Sequence, residues 1–383
     1  MNRRGNSNTA DFREERSRPS SGIRIIPGKE HSLPLMLLLL VGSIGCVSSH
    51  TAYVTLPTGN GISAYRIDSS SGKLTEIVGS PYTTGNSPGP VVVAPSKKFV
   101  WVANRDDNNI SRFKIDSASG GLSEILPRTS TPFDPVAMVV NSSGSFLFVA
   151  NELASNLSVY AIDPSTGDLR AVSAPVPTPQ NPVALAVTPS GNFLYVVNSN
   201  LGAVFGYTVS SSGVLETIPG SPFLAGTGAL AVAVDPKEHF LYVANSTANS
   251  ISIFAIIPTT GRLREVPGSP FLTGTAPVSL AVTISGQFLY VANAASNNIS
   301  GYTIDPGSGF ATALTEGPFA AGTTPVLVLT DPHGTYVYSI SQTTRTIMEF
   351  TLQTTGGSAL GVLTNNGRTA TTPEPAVAMS VTP

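Results

Sequence analysis

The sequence predicts an all-β fold, a seven-bladed β-propeller with four antiparallel strands per blade. Three observations carry that prediction: one repeat of 47–48 residues occurs seven times, turn signals cut it into four strands, and the C-terminal segment matches a strand missing from the first copy. A fixed period of this length is the signature of a repeat architecture. Four short strands per period select propeller blades over a helical solenoid or a β-helix.

The repeat is clearest in its second strand. Phe99-Val-Trp-Val-Ala-Asn104 recurs as Phe146–Asn151, Phe193–Asn198, Phe240–Asn245 and Phe288–Asn293, with the asparagines 47, 47, 47 and 48 residues apart. Degenerate copies at Thr51–Leu56 and Tyr336–Ser341 extend the series by one step at each end. In the fourth repeat, Val183–Val187 reads as the first strand, Phe193–Val197 as the second, Ala203–Val209 as the third and Val214–Ile218 as the fourth. Gly, Pro, Ser and Asn between these runs supply the turn dihedrals. The first strand alternates Val183, Leu185 and Val187 with Ala184, Ala186 and Thr188, which suits a crowded ring centre. The first copy lacks this strand, and Val377–Pro383 aligns with Val183–Pro189, so the C-terminus is expected to close the ring inside the first blade. The repeated asparagines read as structural residues at strand ends, able to adopt left-handed dihedrals and to bond nearby backbone.

Composition agrees and excludes several functions. Gly (36) and Pro (31) are abundant, while only 11% of residues are charged and 41% are apolar. That apolar content supports a large core rather than disorder. A net charge of −2 offers no basic face for nucleic acid. No phosphate-binding loop, no CxxC and no His-rich metal spacing occurs, so neither cofactor nor metal is expected.

The N-terminus reads as an export signal. Basic residues between Arg3 and Lys29 precede an uncharged run, Leu33–Gly45, too short to span a membrane comfortably. Ser43-Ile44-Gly45-Cys46 resembles a bacterial lipobox, in which the cysteine, here the only one in the chain, is lipidated. Residues 1–46 are therefore expected to be a signal segment and 47–383 the propeller, monomeric, at the cell envelope and held to a membrane by lipid on Cys46.

The repeated Tyr-Val-Ala-Asn core followed by Ser-Asn-x-Ile-Ser resembles the "YVTN" propeller repeats. Residues 50–383 as a whole resemble the seven-bladed lactonase family, which includes 6-phosphogluconolactonases and a muconate cycloisomerase. The resemblance implies an active site in the central mouth, carried by His, Arg and Glu, often with Gly-Pro-Arg-His leading into an inner strand. Here the corresponding segments are Phe133-Asp-Pro-Val136, Gln180-Asn-Pro-Val183, Thr227-Gly-Ala-Leu230, Thr275-Ala-Pro-Val278 and Thr323-Thr-Pro-Val326, with no Arg or His. No family catalyst carries over by position. His239 and His333 fall in turns between first and second strands, on the face away from the mouth, and His50 opens the propeller. A Ser-His-Asp relay has no histidine at the mouth to use.

One departure from the repeat stands out. Arg105, Asp106 and Asp107 in the second blade, Asp134 and Glu152 in the third and Glu374 leading into the first put charge on the mouth side. The equivalent positions of blades four to six are uncharged, and blade seven has only Arg345. A group of carboxylates around one arginine suits a cation, a sugar or a basic partner. The sequence thus favours an exported propeller that binds a small molecule or protein at this mouth, without enzymatic activity. The alternatives are a lactone hydrolase and a cell-surface scaffold or adhesion protein.

Overall fold

The computed structural model describes residues 50–356 and 359–383. The expectations for the signal segment and for Cys46 lie outside these residues. Seven antiparallel sheets are present, one per repeat, and in six of them the strands lie in sequence order from the ring centre outward, whereas blade one has the C-terminal strand innermost. In the fourth blade the order is Pro182–Val187, Phe193–Asn198, Ala203–Val209 and Leu215–Thr217. The predicted fourth strand differs in one respect. In five blades it is broken into two short segments that both pair with the third strand, such as Leu215–Thr217 and Phe223–Leu224. Only blades two and seven keep it whole, as Leu122–Ser130 and Leu363–Thr371. Pro222, Pro270 and Pro318 stand beside the break in blades four to six, where a residue without an N–H cannot extend the ladder.

The ring closes as expected. Ala378–Val381 pairs antiparallel with His50–Leu56, joining Ala52 to Val381 and Thr55 to Ala378. Thr51 and Thr382 seal the lower end through reciprocal bonds: Thr382 N donates to Thr51 O and Thr51 N to Thr382 Oγ1, both at 2.9 Å. The His50 imidazole lies on this seam, with Nδ1 2.7 Å from Thr382 O.

Burial lies between blades. The core divides into seven clusters, each spanning two neighbouring sheets. The period of two along a strand explains how one segment serves two clusters. In the second strand of blade four, Phe193, Tyr195 and Val197 face blade five, whereas Leu194 and Val196 face blade three. Both faces are covered, so the strand reads as an unbroken apolar run. The inner strands are more open, because one edge of each borders the ring centre.

A specific bond crosses these interfaces. The aromatic residue at the middle of each second strand points at the turn between third and fourth strands of the next blade. Tyr53 donates to Gly120 O (2.8 Å), Trp101 to Gly167 O (3.1 Å), Tyr195 to Gly261 O (2.7 Å), Tyr290 to Gly361 O (2.6 Å) and Tyr338 to Gly72 O (3.0 Å). Blade three has Phe148, which has no donor, and the buried Tyr242 hydroxyl of blade five has no partner among the described residues. The turn glycine is required by shape. Gly167 has φ of +71°, and a Cβ there would lie 2.7 Å from the Phe99 ring of the preceding blade.

The repeated asparagines are structural, by a different route from the one expected. Asn104, Asn151, Asn198, Asn245 and Asn293 are fully buried, with no left-handed backbone. In four blades the side-chain amide bonds mainly to the third strand's side chains, as when Asn104 Nδ2 donates to Asn109 Oδ1 (2.7 Å) and Ser111 Oγ (3.0 Å). The left-handed residue comes later in the same loop, an asparagine in four blades (Asn60, Asn108, Asn249 and Asn297) and Ser155, Gly202 and Arg345 in the others.

Three outcomes follow for stability. Tyr290→Phe should lower unfolding free energy by about 1 kcal/mol, the net worth of one hydrogen bond, and leave the Gly361 carbonyl unpaired. Tyr242→Phe, which removes a hydroxyl with no partner, should be neutral or stabilising in the same denaturant titration. Deleting residues 375–383 should expose the strand edge of His50–Leu56 in blade one and uncover the adjoining inner strand of blade two. Lower thermal stability with aggregation by light scattering is expected, and unchanged melting without aggregation would refute the closure.

Candidate functional site

The mouth is built from the loops between second and third strands and from the segments leading into the inner strands. The lead-in residue is left-handed in six blades: Ser87, Asp134, Asn181, Gly228, Ala276 and Thr324 have φ between 53° and 70°. Its carbonyl accepts the N–H of the first loop residue, as from Arg105 to Ser87 (3.0 Å) and from Glu152 to Asp134 (2.9 Å). In blade one that position is Pro57, which has no N–H, and Glu374 is not left-handed. The loop asparagine then reaches the following blade, where Asn108 Oδ1 accepts from Asp134 N at 2.8 Å.

This scaffold brings three of the predicted residues together. Arg105 and Glu152 hold the same repeat position in neighbouring blades, and Asp134 leads into the inner strand between them. Arg105 Nε and Nη2 donate to Asp134 Oδ1 and Oδ2 at 2.7 and 2.9 Å, a forked geometry. Nη2 also lies 3.4 Å from Glu152 Oε2, while Nη1 has no partner among the described residues. The aliphatic stem of Arg105 crosses Gly89 of the inner strand, where a Cβ would sit 3.0 Å from Arg105 Cδ. The side chains are 41%, 13% and 24% exposed for Arg105, Asp134 and Glu152, so the group is partly desolvated yet reachable.

The electrostatics are unequal. Burial, with the Asp134 charge beside it, pushes the Glu152 carboxyl above its ordinary value, and Arg105 offsets this only in part. The hydrogen bonds to Asp134 hold Arg105 more firmly protonated than usual. The result is a carboxylate with heightened proton affinity beside a fixed cation.

The other predicted residues stand apart. Asp106 is exposed, with no hydrogen-bond partner among the described residues. Asp107 turns away from Arg105: its carboxylate accepts from Asn86 N (2.9 Å) and Nδ2 (2.7 Å) and lies 3.7 Å from Arg128 Nη1. The Asn86 bonds hold it below the usual carboxylate range. Arg128, whose fourth-strand position gave no signal in the sequence, is also bonded to Glu124 at 2.8 Å. Glu374 packs against Gly59 in blade one. The expected group of carboxylates around one arginine is therefore a compact triad and three separate residues, Asp106, Asp107 and Glu374.

On the opposite face, His239 is exposed, and His333 lies 3.8 Å from Asp331 with its ring edge-on to His50. A groove of about 630 Å³ lies at the outer edge between blades one and two, lined by Arg66, Asp68, Glu76 and Val78 among others. Its Asp68 carboxylate is occupied by Ser70 and Ser71 in its own turn, so the groove offers no comparable chemistry. Among the described residues no group of three or more His, Cys, Asp or Glu is placed to hold a metal ion.

The profile of the family described as lactonase, seven-bladed β-propeller, matches residues 47–187 and 185–329. The chain belongs to this family. Solved structures of similar fold agree with the architecture of this lactonase-family propeller. A 6-phosphogluconolactonase, so assigned provisionally, from Bacteroides fragilis superposes with a TM-score of 0.76 at 19% identity, covering 88% of this chain and 98% of its own. A periplasmic gluconolactonase from Pseudomonas aeruginosa gives 0.74 at 19% identity, with 88% and 99% covered. A streptogramin B lyase gives 0.52 at 16% identity, covering 75% and 85%. No significant match was found among curated protein sequences.

The triad makes a test of its electrostatics possible. Asn181 occupies the left-handed position of Asp134 in the next blade, so Asp134→Asn should keep the backbone. It removes a neighbouring negative charge and releases the Arg105 fork toward Glu152, and both changes favour ionised Glu152. The Glu152 carboxyl, followed by ¹³C NMR with labelled glutamate, should titrate at lower pH in the variant. An unchanged or higher midpoint would contradict the assigned geometry.

Proposed function

We infer that this lactonase-family propeller hydrolyses lactones at the Arg105–Asp134–Glu152 triad. The observation that carries the reading is the Glu152 carboxylate, of raised proton affinity, beside a guanidinium whose Nη1 is uncommitted. Family membership supports it, and it reverses the order suggested by the sequence, where a binding module stood ahead of a hydrolase. Fold alone does not assign an activity, so the argument rests on the site.

Glu152 takes a proton from water as the water oxygen adds to the lactone carbonyl carbon. Arg105 Nη1 donates to the oxyanion of the tetrahedral intermediate, where a preorganised cation is most effective. The ring C–O bond then breaks, and Glu152 returns the proton to the departing alkoxide. One water is consumed, one hydroxy acid is released, and the enzyme regains its starting charge. Asp134 acts through Arg105, fixing the guanidinium plane. We place the enzyme at the cell envelope, lipidated on Cys46. Cys46→Ser should abolish palmitate labelling and release the protein from the membrane fraction, and labelling that persists would refute the anchor.

Activity should be measured by proton release on δ-lactones with the purified full chain. Glu152→Gln should lower kcat at least about 100-fold, as expected for a general acid–base group. Arg105→Lys should lower it by a similar factor. Thermal unfolding should be little changed in either. Wild-type rate should fall as pH drops through a midpoint above the ordinary glutamate value, because the base must be ionised. Wild-type protein inert toward all lactones tested, or a Glu152→Gln variant of full activity, would overturn the reading.

A further inference from the structure

We propose that the substrate is an uncharged lactone bearing an apolar substituent, held by Phe133 and Leu153, and that phosphorylated lactones are poor substrates; this rests on the hydrolase reading. The first observation is a second departure from the repeat, in the same blade that supplies Asp134 and Glu152. Phe133 immediately precedes Asp134, and Leu153 immediately follows Glu152. In the other six blades the position of Phe133 holds Asn86, Gln180, Thr227, Thr275, Thr323 and Pro373, none of them a large apolar residue. The position of Leu153 holds Thr58, Asp106, Asn200, Thr247, Ala295 and Thr343. The ring thus has no packing use for a large apolar side chain at either place.

Neither side chain is buried where it stands. Phe133 is 68% and Leu153 76% exposed. Single exposed apolar residues are ordinary on a protein surface, but these two sit on paired loops. Ala154 N donates to Phe133 O at 3.3 Å, while Glu152 N donates to Asp134 O at 2.9 Å, so the lead-in and the loop are laced together on both sides of the triad. An apolar pair is therefore fixed one residue away from the proposed base and from the carboxylate that orients the arginine. A substituent on the lactone ring can be desolvated there while the carbonyl stays at Arg105.

Charge supplies the second observation. A phosphate dianion needs committed cationic donors, best a free guanidinium fork. The Arg105 fork is filled by Asp134, Arg128 is bonded to Glu124, and Arg345 Nη1 lies on the Pro373 carbonyl at 3.4 Å. Asp134 and Glu152 set two carboxylates against the single Arg105 guanidinium, and Asp106 adds a third in the same loop. The mouth is arranged to repel a second negative group rather than to bind one.

The test uses full-length protein and pairs of lactones differing in one feature: δ-decalactone against δ-valerolactone, and 6-phosphogluconolactone against gluconolactone. We expect kcat/KM at least about tenfold higher for the alkylated member of the first pair, since a few methylenes in an apolar site discriminate by that much. In the second pair the phosphorylated member should be slower by a similar factor. Phe133→Thr and Leu153→Thr install a residue that the repeat itself uses there, so folding is preserved. Each should raise KM for δ-decalactone and lower the ratio of kcat/KM for δ-decalactone to that for δ-valerolactone several-fold, the loss expected from a removed apolar contact. Equal rates within the first pair, variants without effect, or a preference for the phosphorylated lactone would overturn the specificity and leave the hydrolase standing. Failure to hydrolyse any of the four would overturn the hydrolase itself.

Discussion

The structure depends on one contact made around the ring, an aromatic side chain of one blade against a glycine turn of the next. No blade buries its own hydrophobic faces; each is covered only by its neighbours. The tyrosine or tryptophan at the centre of the second strand fills that interface and, in five of seven places, ends in a bond to a glycine carbonyl. A large ring anchored at its polar tip fixes both the distance and the rotation between sheets. Because the loops at the mouth are carried on those sheets, the separation of Arg105 from Asp134 and Glu152 is inherited from it.

Most of the fold was legible because the repeat is under sevenfold constraint. Whatever packs at one interface must pack at the others, so the Phe-Leu-Tyr-Val-Ala-Asn pattern reports burial on both faces directly. The C-terminal strand was legible by register alone. The broken fourth strand was not, because that edge faces solvent and pairs on one side only, leaving little periodic signal. Charges placed within the interfaces were equally hidden. Arg112 pairs with Asp168 of the next blade, and Glu349, its carboxyl pushed up by burial, accepts from Leu74 N, at a strand position that other blades fill with Ala64, Val159, Gly206, Ile253 and Gly301.

The candidate site was legible as a group of charges rather than as a geometry. Departures from symmetry named Arg105, Asp134 and Glu152, yet they named Asp107 and Glu374 with equal weight. What separates them is backbone geometry. Asp107 is captured by Asn86 across the loop, whereas Asp134 and Glu152 are drawn together by the bond between their own main chains. Phe133 and Leu153 passed unremarked, because an exposed apolar residue has meaning only once its neighbours are known.

The seam in blade one has a consequence for how the chain comes to be folded. Its inner strand, Ala378–Val381, pairs with residues more than 320 positions earlier in the sequence. Loop-closure entropy and topology both make such a pairing late. During synthesis, the first blade must wait with an open edge while the other six assemble, and the circle becomes cooperative only when the final strand emerges. The propeller is in this sense a clasp whose two halves are made first and last among its strands, and chains stalled before the second half would present an unpaired edge, the form most prone to misassociation.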